Sequence, residues 1–490
     1  MESNMTELAD AVQVMTLGED APKQPIQKLI QQCRQTSEAV TSMADSIQAR
    51  FGGPDVPRPN LVTNGEGIQF LREGSRKLTG VIGTIQGILD ELNEVTDCAI
   101  YERLRSLGTE SEASVSGDTV KELMSWFGDD IKSIIRQVLD NDDHSNGVLW
   151  KVAEEGYKQA TSPSGSLSIE RYMVGPGEKS PFGDGQRGEL AKDTCSKRWA
   201  EFWIRAIRNA PGGPTLFFPS APMTLNATDI PPYLFRVSDT VSSGKSDAEV
   251  VASTMSRYNL KQDSRIDILS LEQDQATIKL HNHLTKPTIS AKGDDNFMSW
   301  TSSLLFAIQY AIWRTQRIHS SGIQFCVVDT TKFPPGQFAR DTWLLDSYRE
   351  SASRLGYNIS RLWKLRDGED YYNGEYLSQG TLTHAGRSYL VSLKQLEEAG
   401  LYKLYREFED PKGAAQWADR VKELRLLWSG HHTTIDKEIS RALEVGSCIS
   451  PSHASDMALM LLAFKYRERR TTLANVEELP RWATKPVERE

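Results

Sequence analysis

The chain lacks the features of a disulfide-built, metal-binding or membrane-spanning protein. Its 490 residues include only five cysteines, an odd number with no two close together, and no CxxC or Cys/His metal spacing occurs. We therefore expect no structural disulfides and a reducing, intracellular compartment. The longest apolar run, MALMLLAF at 457–464, is far too short to span a bilayer.

An excess of positive charge is also absent. Lysine and arginine total 57 against 66 acidic residues, which gives a net charge of −9. Without a global basic field, we expect neither nucleic acid nor an anionic membrane as the main partner. The first residues are acidic and lack the basic start and apolar core of a secretory signal. These observations predict a cytoplasmic or nuclear protein.

Several familiar catalytic motifs are missing as well. The chain has no GxxxxGK[ST] phosphate loop, no GxGxxG after a strand, no GxSxG elbow and no HExxH. His281 and His283 stand two apart, as alternate residues on one face of a strand would. No cysteine or carboxylate lies at a metal-ligand spacing from them, so we expect no metal site.

The N-terminal part is predicted to be helical and is built differently from the rest. All eleven tryptophans lie between Trp126 and Trp482, and none precedes them. Residues 66–105 carry a heptad seam with spacings of seven, four, three, four and three, formed by Leu71, Leu78, Ile82, Ile85, Leu89 and Leu92. This pattern favours an antiparallel helical bundle, and a coiled-coil dimer is the alternative. We assign residues 1–160 to this helical region.

A change of composition separates this region from the second half. Residues 161–192 are rich in Ser, Gly and Pro and predict a flexible linker. We place the second domain at 193–475 and a tail at 476–490. Short apolar runs such as PYLFRV, ATIKL, IQFCVVD and SYLVSL predict strands, with helical patterns between and after them. The fold class is therefore α+β, with a mixed or antiparallel sheet in the second domain and closing helices.

Three polar stretches of the second domain could carry chemistry. PYLFRVSD at 232–239 places Arg236 in a strand-forming run, and DYYNGEYLSQG at 370–380 places Glu375 among tyrosines and glycines. FMSWTSS at 297–303 ends a strand-like element and opens a helix. Each has an ordinary explanation, as an edge arginine, a turn carboxylate or a helix cap. A cap explains the later hydroxyls but leaves Ser299, on the strand side, unexplained.

Taken in order, Arg, then Ser-x-Thr, then Glu-Tyr-Leu resembles the Arg–Ser–Glu signature of the ADP-ribosyltransferase superfamily. The resemblance implies a split sheet, NAD as the substrate and catalytic roles for Glu375 and Ser299. The residues that it implies for NAD binding are Arg236, Thr301, Ser302, Tyr310 and Tyr372. The stretch 231–470 also resembles a domain of unknown function found in filamentous fungi.

The chemistry suits these residue types. An arginine fork binds the pyrophosphate oxygens of NAD in a bidentate manner. Breaking the nicotinamide–ribose bond creates an oxocarbenium-like ribose, and a nearby carboxylate stabilises that developing charge. Two residues depart from the family pattern. Trp300 stands inside the hydroxyl triplet, and Asn373 stands where arginine-modifying members carry Glu or Gln, so an arginine acceptor is not implied.

Three hypotheses therefore remain open for this chain. The first is an NAD-dependent mono-ADP-ribosyltransferase or NAD glycohydrolase, acting on a protein acceptor or on water. The second is a non-catalytic scaffold of the same fold that binds a protein partner through its N-terminal helices. The third is a structural α+β domain with three unrelated polar sites. The sequence does not decide between enzyme and scaffold.

Overall fold

The structure is a computed structural model of the chain. It describes residues 31–42, 45, 65–109, 117–141, 147–173, 186–219, 230–258, 265–285, 295–367, 372–410 and 417–467. The chain packs as two compact units, Met1–Gly213 and Pro214–Glu490, and each is treated by itself. The predicted tail at 476–490 lies outside the described residues.

The described part of the first unit is helical. Its helices are α1 (Gly65–Thr109), α2 (Gly117–Trp126), α3 (Gly128–Asn141), α4 (Val148–Thr161), α5 (Ile169–Met173) and α6 (Gln186–Asn209). Residues 31–42 are helical too. Only Phe127 separates α2 from α3.

Helix α1 is buried along only part of its length. Toward its C-terminus, Leu104 and Leu107 are buried in the core of the unit. The heptad seam behaves differently, since Leu78, Ile82, Ile85 and Leu89 are 40%, 65%, 41% and 45% exposed. The C-terminal half of α1 therefore packs into the unit, whereas these four seam side chains are exposed.

Aromatic rings on α6 form the centre of the first unit. Trp199 and Phe202 stack at 5.3 Å, Trp203 meets both rings edge-on, and all three are essentially inaccessible to solvent. This helix packs with the first unit, which extends to Gly213. The predicted linker is partly ordered, since Trp199 Nε1 donates to the carbonyl of the buried Leu167 at 3.0 Å. Its remainder at 174–185 lies outside the described residues.

The second unit contains two antiparallel sheets. Its strands are β1 (Tyr233–Ser238), β2 (Lys245–Ser246), β3 (Val250–Ala252), β4 (Phe297–Thr301), β5 (Gln324–Asp329), β6 (Ala339–Arg340), β7 (Glu375–Gln379), β8 (Thr381–Thr383) and β9 (Ser388–Ser392). A six-stranded sheet has the order β6-β7-β4-β1-β5-β9, and a three-stranded sheet has the order β2-β3-β8. The predicted strands PYLFRV, IQFCVVD and SYLVSL are confirmed as β1, β5 and β9, and with them the α+β fold class.

Helices surround these sheets. They are α7 (Thr254–Tyr258), α8 (Gln273–Thr285), α9 (Leu304–Ile318), α10 (Asp341–Ser347), α11 (Arg349–Arg354), α12 (Ile359–Asp367), α13 (Leu393–Glu398), α14 (Leu401–Leu404), α15 (Trp417–Leu427), α16 (Asp436–Ile449) and α17 (Ala454–Leu462). In the described part of the chain, no helix combines the length and apolar character that crossing a bilayer demands.

One predicted strand was wrong. The run ATIKL at 276–280 lies inside helix α8, because Ala276, Leu280 and His283 are buried at spacings of four and three, which is one face of a helix. His281 and His283 therefore lie on a helix and not on alternate positions of a strand. The two side chains point different ways, and the His281 ring stacks on Tyr357 at 4.0 Å.

The six-stranded sheet is covered differently on its two faces. On the first face, Phe235 packs with helices α9 and α15, and Phe297 packs with α8 and α10. On the second face, Leu234 and Trp300 pack with Val251 of the three-stranded sheet. We call these the helical face and the sandwich face. Successive side chains of a strand alternate between them.

Candidate functional site

The three polar stretches meet on three neighbouring strands. Arg236 lies on β1, Ser299 on β4 and Glu375 at the start of β7, and the sheet order places β4 between the other two. Residues separated by more than sixty positions in sequence are thereby brought side by side. The topology thus provides the adjacency that the Arg, Ser, Glu order requires.

The sheet opens between β1 and β4. These strands share a single register pair, Phe235 with Thr301, whereas β1 and β5 pair over the whole of β1. Arg236 fills the opening, and its Nη1 donates to the Ser299 carbonyl at 2.8 Å. Its Nε is buried and has no hydrogen-bond partner, and burial lowers the pKa of the guanidinium. A buried donor of this kind lacks the acceptor that nearly all such groups have.

Ser299 and Glu375 lie on the helical face, but Arg236 does not. Glu375 is directly opposite Thr301, and Ser299 is two positions farther along β4, so the two side chains are diagonal neighbours about 7 Å apart. Arg236 is opposite Cys326, and its guanidinium carbon lies 6.0 Å from the Trp300 ring centroid on the sandwich face. Arg236 therefore contacts the backbone carbonyl of Ser299, in the opening between β1 and β4.

Glu375 belongs to a buried cluster of two carboxylates around one arginine. Arg366 on α12 donates from Nη2 to Glu375 Oε2 at 2.9 Å and from Nε to Asp341 Oδ2. Asn373 also donates to Glu375 Oε2, at 3.1 Å. Burial, followed by the charge of Glu375, raises the pKa of Asp341 to about 7 despite the arginine. One guanidinium thus balances two acids, so the pair retains a proton near neutral pH.

The hydroxyl triplet joins the strand end to the helix. Ser303 is the N-cap of α9 and accepts from the Phe306 amide at 3.2 Å, as the sequence predicts. Thr301 donates to the Asn373 carbonyl and accepts from the Ser303 amide. Ser302 Oγ lies 3.3 Å from the Tyr372 hydroxyl. These contacts connect the triplet with the segment that leads into Glu375.

Two tyrosines were predicted to contact a cofactor. Tyr372 lies beside Ser302, and its carbonyl accepts from Arg425 at 2.7 Å, so it borders the same strand ends. Tyr310 is on α9, where its hydroxyl accepts from Arg314 Nη1 at 2.9 Å and its ring stacks on Trp313. The structure therefore brings Tyr372 to the triplet and places Tyr310 with an arginine farther along the helix.

A histidine that the sequence did not assign to the site lies against Ser299. His283 Nε2 is 2.9 Å from Ser299 Oγ, and His283 Nδ1 is 2.8 Å from Asp295 Oδ2. His283 is only 5% exposed, at the end of α8, while Ser299 is half-buried. The sequence shows the pair His281 and His283, but assigning the pair to a strand did not indicate which of the two histidines is buried.

Comparisons with known proteins reach part of the second unit. Among the described residues, no group of three or more His, Cys, Asp or Glu side chains is arranged to hold a metal ion. No curated protein and no solved structure matches the chain. Residues 229–383, which include Arg236, Ser299 and Glu375, match a family model described as a domain of unknown function (DUF7587).

Proposed function

We propose that the second unit cleaves the nicotinamide–ribose bond of NAD and transfers ADP-ribose to a protein acceptor or to water. The observation that supports this most is the hydrogen bond from Arg236 to the Ser299 carbonyl in the opening between β1 and β4, with Glu375 on the next strand. A split sheet with this order of residues is what the ADP-ribosyltransferase resemblance implies. The intracellular location predicted from the sequence would supply NAD.

Arg236 would bind the pyrophosphate. Its unpartnered, buried Nε–H is a donor in need of an acceptor, and a phosphate oxygen satisfies such a donor with a charge-assisted bond. Its position in the opening would bring the phosphate to the edge of the helical face, beside Ser299. Tyr372, Thr301 and Ser302 border the same strand ends and would contact the nicotinamide half of the cofactor.

Glu375 would stabilise the developing positive charge on the ribose. Asn373 and Arg366 both hold Oε2, so the carboxylate is oriented before the substrate arrives. Ser299 would accept a hydrogen bond from a ribose hydroxyl, since a neutral His283 imidazole 2.9 Å away would take the serine's own proton as its hydrogen bond. Tyr310, which bonds Arg314, would act only through the packing of α9.

The test is nicotinamide release from NAD by the full chain, measured by chromatography. We expect Glu375→Gln to lower the rate at least about 100-fold, as for loss of one preorganised electrostatic contact in an active site. Asp341→Asn is the matched control, because it removes the other acid held by Arg366 and leaves Glu375 in place. That variant should retain turnover within about tenfold of wild type.

Two outcomes would contradict the proposal. The enzymatic function is excluded if the wild-type protein releases no nicotinamide and mass spectrometry finds neither free nor protein-linked ADP-ribose. Equal rates for wild type and Glu375→Gln would remove Glu375 from the mechanism. Comparable thermal unfolding of the variants, measured by circular dichroism, shows that a lower rate does not result from loss of the folded structure.

A second candidate function is association through α1, and the exposed heptad seam favours it. Ile82 is 65% exposed, although the seam spacing is that of helices that pack against one another. The partner that fits such a seam most simply is the same helix of a second copy of the chain. This role matches the scaffold hypothesis and is compatible with catalysis in the second unit.

We expect light scattering to show a dimer for wild type and a monomer for the double variant Ile82→Asp, Ile85→Asp. Two charges in an apolar seam are costly to bury, so the dissociation constant of the dimer should rise at least about 100-fold. Thr84→Asp, exposed on the same helix but outside the seam, is the matched control and should remain dimeric. A monomeric wild type at high concentration would argue against the seam as a self-association surface.

A further inference from the structure

The contacts of His283 suggest a second chemistry at Ser299, independent of NAD. A serine hydroxyl, an imidazole and a carboxylate follow one another at hydrogen-bond distance, 2.9 Å from Ser299 Oγ to His283 Nε2 and 2.8 Å from His283 Nδ1 to Asp295 Oδ2. Ser299 lies on β4, His283 lies near the end of α8, and Asp295 lies two residues before the start of β4. This is the order of contacts that activates a serine nucleophile.

The carboxylate fixes which nitrogen carries the proton. An ionised carboxylate only accepts hydrogen bonds, and both Asp295 oxygens lie within 2.9 Å of His283 Nδ1, so Nδ1 is the protonated nitrogen. In the neutral imidazole, Nε2 then presents its lone pair to Ser299, and the serine hydroxyl donates to it. Ser299 is therefore bonded to a base that can take its proton at the distance that general-base catalysis requires.

The base and its carboxylate are held in place by packing. The His283 ring is buried and lies 5.3 Å from the Phe297 ring. Asp295 also accepts from the Phe297 amide at 3.0 Å, which orients its carboxylate independently of the histidine. Arg236 in turn holds the Ser299 carbonyl. Each member thus has a second contact that keeps it aligned, as a preorganised site demands.

We propose that Ser299 is the nucleophile of an acyl-transfer site, with His283 as general base and Asp295 as its orienting carboxylate, and that the substrate is a carboxylic ester. Ser299 Oγ attacks the ester carbonyl carbon while its proton moves to His283 Nε2. The tetrahedral intermediate collapses, the carbon–oxygen ester bond breaks, and the leaving alcohol takes the proton from Nε2. Water then attacks the acyl-serine and gives a proton to Nε2. The bond between the acyl carbon and Ser299 Oγ breaks, and Nε2 returns that proton to Oγ, which releases the acid and the free serine.

Two features match this chemistry to an ester. Ser299 supplies the nucleophile and His283 supplies the base, so hydrolysis of an ester needs no co-reactant other than water. Ser299 is half-buried, and the Asp295 side chain is 40% exposed, so the carboxylate end of the chain of contacts reaches the surface. An alkoxide leaving group, protonated by the imidazolium, departs more readily than the poorer amine leaving group of an amide.

The test is covalent labelling of the full-length protein by a fluorophosphonate, followed by peptide mapping, with hydrolysis of p-nitrophenyl acetate as the second readout. We expect one adduct per chain on Ser299. His283→Gln should lower the labelling rate about 10²–10⁴-fold, because the general base is lost. His281→Gln is the matched control on the same helix, since its ring stacks on Tyr357 instead of meeting Ser299, and it should label like wild type.

The remaining variants decide between activation and mere burial. His283→Ala leaves a cavity where added imidazole should restore labelling, a result that a purely structural histidine would not give. Labelling of wild-type Ser299 needs no NAD, and nicotinamide release needs no fluorophosphonate, so the two readouts on the wild-type protein let this proposal and the NAD proposal fail separately. A wild-type Ser299 that takes no label, or a His283→Gln variant that labels at the wild-type rate, would overturn the inference.

Discussion

Replacing Arg366 by methionine is expected to lower the free energy of unfolding of the second unit by about 3–5 kcal/mol at pH 8. The side chain is 7% exposed and lies between Asp341, which is 2% exposed, and Glu375, which is 13% exposed. Without the guanidinium, two buried carboxylates lose the cation that both of them contact. Hydrogen exchange of the β4 and β7 peptides under increasing denaturant would measure the loss in the full chain.

The size of this loss should depend on pH. Since the pKa of Asp341 is raised to about 7 in the folded protein, against 3.8 when unfolded, the folded state binds more protons between about pH 4 and 7. The contribution of this group to stability is therefore complete below about pH 4 and is lost as the pH rises to 7. Asp341→Asn should remove that slope, so it gains on wild type as the pH increases.

The Arg366→Met deficit should likewise be smaller at pH 5 than at pH 8, because a buried carboxyl without its cation takes up a proton instead of remaining charged. Lys394→Met is the control, since its pair with Glu398 is exposed on both sides and should change stability by less than about 1 kcal/mol. A deficit that is equal at both pH values, or as small as that of Lys394→Met, would show that the buried cluster is not held by its charge.

Much of the sheet could be predicted from sequence because it rests on local patterns. Strands β1, β5 and β9 are short runs of apolar and β-branched residues, and Ser303 caps α9 as the hydroxyl cluster before an apolar run predicts. The order of the three polar stretches also identified three strands that prove to be neighbours. That these strands are neighbours was implied only by the resemblance to the ADP-ribosyltransferase pattern, because none of the separate stretches predicts it.

The contacts that decide the chemistry were not predictable in this way. His283 and Asp295 meet through α8, which carries a β-branched, strand-like run whose helical character is set by tertiary burial. Arg366 pairs with Glu375 from α12 and with Asp341 on α10, and no local sequence pattern indicates that these helices lie there. The side-chain direction of Arg236 depends on a one-pair register between β1 and β4, and register is a property of the assembled sheet.

Trp300 interrupts the hydroxyl triplet in sequence, and the structure explains its presence by the sandwich face. It is 2% exposed, meets Phe338 edge-on at 5.6 Å, and donates from Nε1 to the fully buried Ser378 hydroxyl at 2.8 Å. Strand alternation turns it away from Ser299 and Thr301. A large residue is therefore tolerated between two site residues because it belongs to the other layer.

We expect Trp300→Ala to lower the free energy of unfolding of the second unit by about 3–5 kcal/mol, through the cavity it leaves. Trp300→Phe keeps most of the ring but leaves Ser378 without its donor, which should cost about 1–3 kcal/mol. Adding Ser378→Ala to Trp300→Phe should cost less than the sum of the single changes, because the unpaired hydroxyl is removed as well. Leu426→Ala, in the second unit at a site that is 61% exposed, is the control and should cost less than about 1 kcal/mol.

Trp300→Phe also tests whether packing on the sandwich face affects the reactivity of Ser299 on the helical face. Because Trp300 packs on the sandwich face while His283 and Ser299 meet on the helical face, Trp300→Phe should change stability without changing the rate at which Ser299 is labelled. A labelling rate that fell in parallel with stability would mean that the layers are coupled through the opening, where the Arg236 guanidinium lies near the Trp300 ring and also holds the Ser299 carbonyl. In that case Arg236 would transmit the packing of one face to the nucleophile on the other.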